Sequence, residues 1–282
     1  MTKIAVTGST GRVGGRVAHR LAAAGAHQRL VVRDAARAPK LPGTDVVTAE
    51  YGDRDAARAA LDGIDVVFMV SGSESVDRVA RHVSFVDAAA DAGVGHLVYL
   101  SFYGASPSCT FTLGRHHWQT EQHVRSRGLT FTFLRDNVYA DFLPLMVGAD
   151  GVIRGPAGRG RVALVAQDDI ADVGAAVLLS PADHRDRTYD LTGPEALDLD
   201  EAAAVATEVT GRTVTYRPET LEEACASRAS YGAPDWQVEA WVSTYTAIAA
   251  GELAGVRDDI ARVTGHPATP LREVLRRQRS GR

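Results

Sequence analysis

A short apolar strand that runs straight into three evenly spaced glycines and then a helix leaves few folds open to this chain. Ile4-Ala5-Val6 is such a strand, Thr7-Gly8-Ser9-Thr10-Gly11-Arg12-Val13-Gly14 is the turn, and a helical pattern follows at once. This arrangement brings bare backbone N–H groups to a helix N-terminus, where the partial positive charge suits the pyrophosphate of a dinucleotide. Gly8 turns off the strand, Gly11 leaves room for phosphates, and Gly14 lets the helix approach the strand. Thr10, Arg12 and Val13 complete the set that surrounds such a ligand. The spacing is GxxGxxG, in contrast to the GxGxxG of ordinary dehydrogenases. A glycine-rich turn ahead of an amphipathic helix, with no ligand, is the plain alternative.

The rest of the first half repeats this strand–helix alternation. Short apolar runs, as a set rich in valine, at Lys3–Thr7, Arg29–Arg33, Val46–Ala49, Val66–Ser71, His96–Ser101 and Thr130–Arg135 predict strands buried on both faces of a parallel sheet. Helices are predicted over Arg12–Ala24, Asp55–Leu61, Val76–Ala92 and about His116–Arg127. Gly25, Gly63, Gly93 and Gly128 fall where each helix stops before the next strand, as C-terminal caps do. Repeated βα units predict a Rossmann-type, doubly wound α/β sheet.

After Arg135 the texture changes. A short helix is expected over Val138–Val147, with brief strands at Gly151-Val152-Ile153 and Arg161–Val165. A helix over Asp169–Leu179 and a strand at Thr188–Leu191 follow. Further helices are expected at Leu199–Thr210, Glu219–Ser227, Asp235–Gly251 and Leu271–Arg279. The expected organisation is a nucleotide-binding domain over residues 1–150. Residues 151–282 then supply the remaining sheet elements and a smaller, mostly helical lobe packed with it as one unit. The series Val238, Trp241, Tyr245, Ile248 has helical spacing and reads first as core of that lobe.

Composition excludes several classes of function. A net charge of −4 with dispersed basic residues gives no electrostatic case for nucleic acid or an anionic membrane. Cys109 and Cys225 are too few for a disulfide framework. His116, His117 and His123 share a short region, yet no HExxH or cysteine pattern accompanies them as a metal site would require. No apolar run approaches a membrane span and the chain enters a strand directly, so a cytoplasmic protein, monomer or homodimer, is expected.

The end of the second strand discriminates between dinucleotides. An acidic residue there takes the ribose hydroxyls of NADH, whereas arginine pairs with the extra phosphate of NADPH. Leu30-Val31-Val32 runs into Arg33, with Asp34 next and Arg37 and Lys40 close behind. Arg33 predicts NADPH, and Asp34 keeps NADH open. Asp53, after the third strand, suits the adenine amino group or a helix cap near Asp55. Ser71-Gly72-Ser73, after the fourth, leaves open backbone beside the ribose and pyrophosphate.

These residues together carry a family likeness. Thr7–Gly14, Val31-Val32-Arg33-Asp34 and Gly52-Asp53 resemble the NmrA-like branch of the atypical short-chain dehydrogenases. Leu134-Arg135-Asp136-Asn137-Val138-Tyr139 resembles the segment lining the nicotinamide in that branch, which implies cofactor contacts for Asn137 and Tyr139. Asp168-Asp169-Ile170-Ala171, Thr192-Gly193-Pro194-Glu195 and Thr264-Gly265-His266-Pro267 are similar to its later landmarks. The resemblance implies an NAD(P)H-dependent oxidoreductase acting on a small aromatic or conjugated acceptor such as a quinone. Two alternatives on the same scaffold are a non-catalytic, NADP(H)-sensing regulator and an epimerase or dehydratase.

Catalysis is where the chain departs from its relatives at large. Aligned through Glu121, the tyrosine and lysine of ordinary short-chain dehydrogenases fall on Leu113 and His117. Hydride transfer to a quinone needs neither, only a nicotinamide held against the acceptor with water excluded. Candidate helpers are Ser101 as a hydroxyl donor, His117 as a ribose ligand and proton source near neutral pH, and Tyr139 as a phenolic donor, with Tyr103 behind them. Each has a plain reading as well: Ser101 as a strand terminator, His117 with Glu121 as a surface pair, Tyr139 as core.

Overall fold

The computed structural model describes residues 2–281. In chain order the elements are β1 (Ile4–Thr7), α1 (Arg12–Ala23), β2 (Gln28–Val32), β3 (Thr44–Thr48), α2 (Arg54–Ala60), β4 (Val66–Val70), α3 (Arg78–Asp91), β5 (His96–Phe102), α4 (Thr112–Ser126) and β6 (Thr130–Asp136). Then come α5 (Leu143–Met146), β7 (Val152–Gly155), β8 (Arg161–Val162), α6 (Gln167–Leu179), β9 (Arg187–Leu191), β10 (Leu197–Asp198), α7 (Leu199–Thr210), β11 (Thr215–Pro218), α8 (Leu221–Arg228), α9 (Asp235–Ala249), α10 (Asp259–Thr264) and α11 (Leu271–Arg279).

Seven strands form one sheet in the order β3-β2-β1-β4-β5-β6-β9, with β1 pairing β2 and β4, β2 pairing β3, and β4 pairing β5, all in parallel. The reversal of order beside β1 is the switch point at which doubly wound sheets bind ligands outside the strands' carboxyl ends. Alternate side chains supply the two buried faces, as a period of two requires. Ala5, Val31, Val67, Leu97 and Tyr99 form one face with Ala57 of α2, Phe85 of α3 and Val124 of α4. On the other face α1 and α6 lie side by side. A side chain at Gly174 would come 3.1 Å from Val17 and 3.7 Å from Phe68, so its absence sets that close approach. Arg16 to Asp168 (3.1 Å) and Arg20 to Asp172 (2.6 Å) cross the same seam; being partly exposed, each contributes little.

The chain divides into two compact units of interleaved segments. The first comprises Met1–Ser101, His116–Arg135 and Asp168–Tyr189; the second comprises Phe102–Arg115, Asp136–Gln167 and Asp190–Arg282. This differs from a single cut after residue 150, because α6 and most of β9 return to the sheet of the first unit. The second unit has its own core, built from Leu143, Ile153, Leu164, Leu199 and Leu253 among others. Val238 and Ile248 of α9 are buried there, Tyr245 packs on the main cluster and Trp241 beside Val238, the core role expected of that series.

This unit is less helical than its sequence suggests. β11 pairs in parallel with β7 and β8 pairs antiparallel with β10. The strand expected over Arg161–Val165 stops at Val162, with Val165 making only a lone bridge to Tyr139. The helix expected over Val138–Val147 is a 3₁₀ turn, Ala140–Phe142, followed by α5. No helix of the described residues is long and apolar enough to cross a membrane.

Candidate cofactor site

The first unit opens a cleft at the carboxyl ends of β1 to β4. Its walls are Gly8 and Thr10 after β1, Arg33 after β2, Glu50 and Tyr51 after β3, and Ser71-Gly72-Ser73 after β4, with Arg78, Arg81 and His82 from α3. Three arginines against one glutamate make the lining basic, which favours an anionic ligand. A second depression adjoins it through Thr10, lined by Ser9, Gly11, Arg12, Arg16 and Arg37.

The turn at the heart of this site behaves as its glycines require. Gly8 sits at φ +63°, and a Cβ there would press to 2.8 Å from Val70. A Cβ at Gly14 would lie 2.8 Å from the Thr7 carbonyl oxygen, so only glycine lets α1 start this close to β1. The Gly11 N–H donates to the Gly8 carbonyl at 2.8 Å and closes the turn, which leaves the first N–H groups of α1 to a ligand. Gly11 is the N-cap, and no side chain caps the helix. The Ser9 hydroxyl is buried without a hydrogen-bond partner among the described residues. An uncapped helix start, an orphaned buried hydroxyl and a basic cleft fit the pyrophosphate and phosphates of a dinucleotide.

Arg33 is exposed at the end of β2. Asp34 is occupied locally: its carboxylate accepts the Ala36 N–H at 2.9 Å and caps a 3₁₀ turn over Ala35–Arg37. Asp53 likewise accepts from Ala56 N–H at 3.0 Å as N-cap of α2, the second of its two expected roles, and it does not line the cleft. Glu50 and Tyr51, which no motif in the sequence marks, line it instead. Tyr51 bonds the Thr7 hydroxyl at 2.5 Å and donates to the Val70 carbonyl at 2.6 Å, tying the ends of β1, β3 and β4 together.

Ser101 and His117 are placed together but inward. Ser101 is fully buried and donates to Glu121 Oε1 at 2.6 Å; the same carboxylate receives Arg135 Nε at 2.8 Å and Nη2 at 2.6 Å. Glu121, itself buried, is therefore the hub of an ion pair with the half-buried Arg135, not half of a surface pair with His117. His117 Nε2 lies 3.0 Å from Arg78 Nη2 and its Nδ1 lies 2.9 Å from the Tyr99 hydroxyl. Arginine only donates, so Nε2 accepts and the proton of the neutral ring sits on Nδ1. Burial, and then the Arg78 charge, push its pKa well below the usual histidine value. The expectation that His117 supplies a proton near neutral pH is thereby corrected: burial and Arg78 keep the ring from taking a second proton, and the one it carries, on Nδ1, is directed at the Tyr99 hydroxyl and away from the cleft.

Asn137 and Tyr139 belong to the second unit. The Asn137 amide donates to Leu253 O at 2.9 Å and accepts from Val138 N–H at 2.8 Å, and the Tyr139 hydroxyl donates to Asp136 Oδ2 at 2.6 Å. Both side chains brace the chain just after β6. Val13 is buried inside α1, so its side chain faces the core while its backbone faces the turn. Among the described residues no group of three or more histidine, cysteine or acidic side chains could hold a metal ion.

The chain is similar to known proteins over most of its length. The NmrA-like family model matches residues 1–228. An NAD(P)H azoreductase from Xenophilus azovorans is 34% identical, covering 97% of this chain and 96% of that protein. The crystal structure of an NADPH-dependent quinone oxidoreductase from Escherichia coli, complexed with NADPH, superimposes with a TM-score of 0.88 at 31% identity, over 96% of this chain and 98% of that one. The Citrobacter sp. triphenylmethane reductase complexed with NADP(H) gives 0.85 at 31% identity, over 97% and 99%. On a family match across most of its length and full-length relatives of this similarity, the chain belongs to the NmrA-like family.

Proposed function

We propose that this chain reduces quinones or similar conjugated aromatic acceptors with NADPH, as a cytoplasmic monomer or homodimer that binds neither nucleic acid nor membrane. It is an NAD(P)H-dependent oxidoreductase of the reductase branch of its family. The observation that carries the cofactor assignment is the pairing of an uncapped glycine turn at α1 with an exposed Arg33 beside it. Gly8, Thr10, Gly11, Arg12 and Val13 would hold the pyrophosphate through the turn and the first N–H groups of α1. Arg33 would take the phosphate that distinguishes NADPH, its neighbour Asp34 being engaged in a cap. Ser71 and Gly72 would border the ribose.

Reduced nicotinamide, when bound, supplies the hydride. The chain's own contribution is to bind and orient, for it lacks the tyrosine–lysine pair, and Ser101 and His117 are committed inside the unit. An acceptor that stabilises its own negative charge, as a quinone does, can take its proton from solvent. That demand fits the azo compounds and quinones named for relatives, and a cationic triphenylmethane dye asks for less still, since hydride neutralises it with no proton needed. The inward commitment of Ser101 and His117 also suits a sensor that binds NADPH without turnover. A panel of quinones, azo dyes and triphenylmethane dyes offered with NADPH separates the two: acceptor-dependent NADPH oxidation supports the reductase, and tight binding without oxidation across the panel supports the sensor.

A further inference from the structure

Gly72 sits in the cleft wall with both of its backbone polar groups taken by one helix. Its N–H donates to His82 Nε2 at 2.8 Å, and its carbonyl accepts from Arg78 Nε at 2.9 Å. Arg78 and His82 are four residues apart on α3 and so share a helix face one turn apart. Both are buried.

The two side chains are themselves held from behind. His82 Nε2 must accept, because a peptide N–H can only donate, so the neutral ring carries its proton on Nδ1. Nδ1 lies 2.9 Å from the Thr120 hydroxyl, which itself donates a hydrogen bond to the His116 carbonyl at 2.9 Å. Arg78 reaches on to His117 Nε2, and His117 in turn to Tyr99. Every bond therefore has a defined direction: the Gly72 N–H donates inward to His82 and on to Thr120 of α4, while Arg78 donates both outward to the Gly72 carbonyl and inward to His117, which donates to Tyr99 of β5. The space is as tight as the bonding: a Cβ on residue 72 would come 3.2 Å from His82 Nε2.

We propose that Arg78 and His82 are positioning residues for the dinucleotide: by clamping the Gly72 peptide from both ends, they hold the Ser71–Ser73 segment as a preformed wall of the cleft. The inference rests on the reading of this cleft as the NADPH site. A wall fixed before binding spares the ligand the cost of ordering it, so loss of the clamp weakens affinity by loosening that wall, which the Gly72 amide reports independently of any ligand contact. His117 acts one step further back, by orienting Arg78.

The test compares His82→Leu, which removes the acceptor, with His82→Gln, whose side-chain oxygen can reach the same N–H. NADPH affinity is measured by fluorescence titration, and exchange of the Gly72 amide by NMR without ligand. The expected result is a faster-exchanging Gly72 amide and an NADPH Kd raised about tenfold (about 1.4 kcal/mol) in the leucine variant. The glutamine variant restores both to near wild type. If the leucine variant does not fold, the glutamine variant still decides: a protected Gly72 amide and near-native affinity support the clamp, and a folded glutamine variant lacking either overturns it. A folded leucine variant with native affinity overturns it too. Failure of the wild-type chain to bind NADPH would instead sink the assignment of the cleft.

Discussion

The Arg78 guanidinium donates to the imidazole of His117 across 3.0 Å, with both side chains buried. A protonated imidazole in that position would set two cations face to face in a poorly solvated pocket. The histidine that stands where ordinary short-chain dehydrogenases carry lysine is thus a neutral acceptor, and its work is to orient an arginine.

His117→Leu is therefore expected to destabilise the fold by about 1–3 kcal/mol, the cost of leaving buried donors unmatched. The pH–rate profile for quinone reduction should keep its shape in this variant. Chemical denaturation and a pH series on the same protein check both halves. A limb near the histidine range present in wild type and absent from the variant would restore His117 as the proton donor.

Arg33→Ala separates the two cofactors. Loss of a charge-assisted contact to the extra phosphate should weaken NADPH by about tenfold or more, with NADH nearly unchanged. Parallel titrations with NADPH and NADH read the ratio. Equal losses would move the phosphate contact elsewhere.

Ser101 and Arg135 converge on Glu121, and their variants should differ in a defined way. Arg135→Met leaves a buried carboxylate without its counter-ion and should cost about 3 kcal/mol. Ser101→Ala removes one hydrogen bond and should cost about 1 kcal/mol, with turnover retained. Urea midpoints and turnover rates measure the two effects. Loss of turnover in a stable Ser101→Ala protein would return that hydroxyl to the chemistry.

Acid should destabilise the protein before carboxylates titrate. Burial lowers the pKa of His82, His96 and His117 in the folded state, that of His96 to about 4. In the unfolded chain each returns to about 6.5. Between those values the unfolded state binds more protons, so stability rises with pH across the window and is lost as pH falls below about 6.5. Denaturation midpoints measured down to about pH 5 test this, and His96→Gln should flatten part of the slope.

The legible parts of this molecule are those set by local sequence. Gly8, Gly11 and Gly14 mark the turn because backbone geometry at each position excludes a side chain or leaves the helix start bare. Apolar runs mark β1, β2, β4, β5 and β6 because those strands are largely buried, whereas β3 at the sheet edge leaves Val46 exposed and is marked only by its β-branched residues. Asp53 carries the local signal of a cap, an acidic side chain just before a helix start, beside the adenine contact also expected of it, and the structure shows the cap. β11 was not: Thr215-Tyr216-Arg217-Pro218 buries only Tyr216, so it carries no apolar run, and its pairing with β7 depends on residues some sixty positions away. The same distance hides the site's inner partners. Tyr51 meets Thr7 and Val70, Arg78 meets Gly72 and His117, and no spacing in the sequence announces those contacts. Ser101 and His117 sit at the right ends of the right elements, yet which way their polar atoms point is decided by Glu121 and Arg78.

The central claim is that the glycine turn and the basic cleft beside it hold NADPH. Calorimetric titration of the purified, folded chain with NADPH tests it most directly. Saturable binding of one NADPH per chain, weakened by Arg33→Ala, is the expected result. A folded protein that gives no binding heat with NADPH, confirmed by an unchanged melting temperature in its presence, would contradict it.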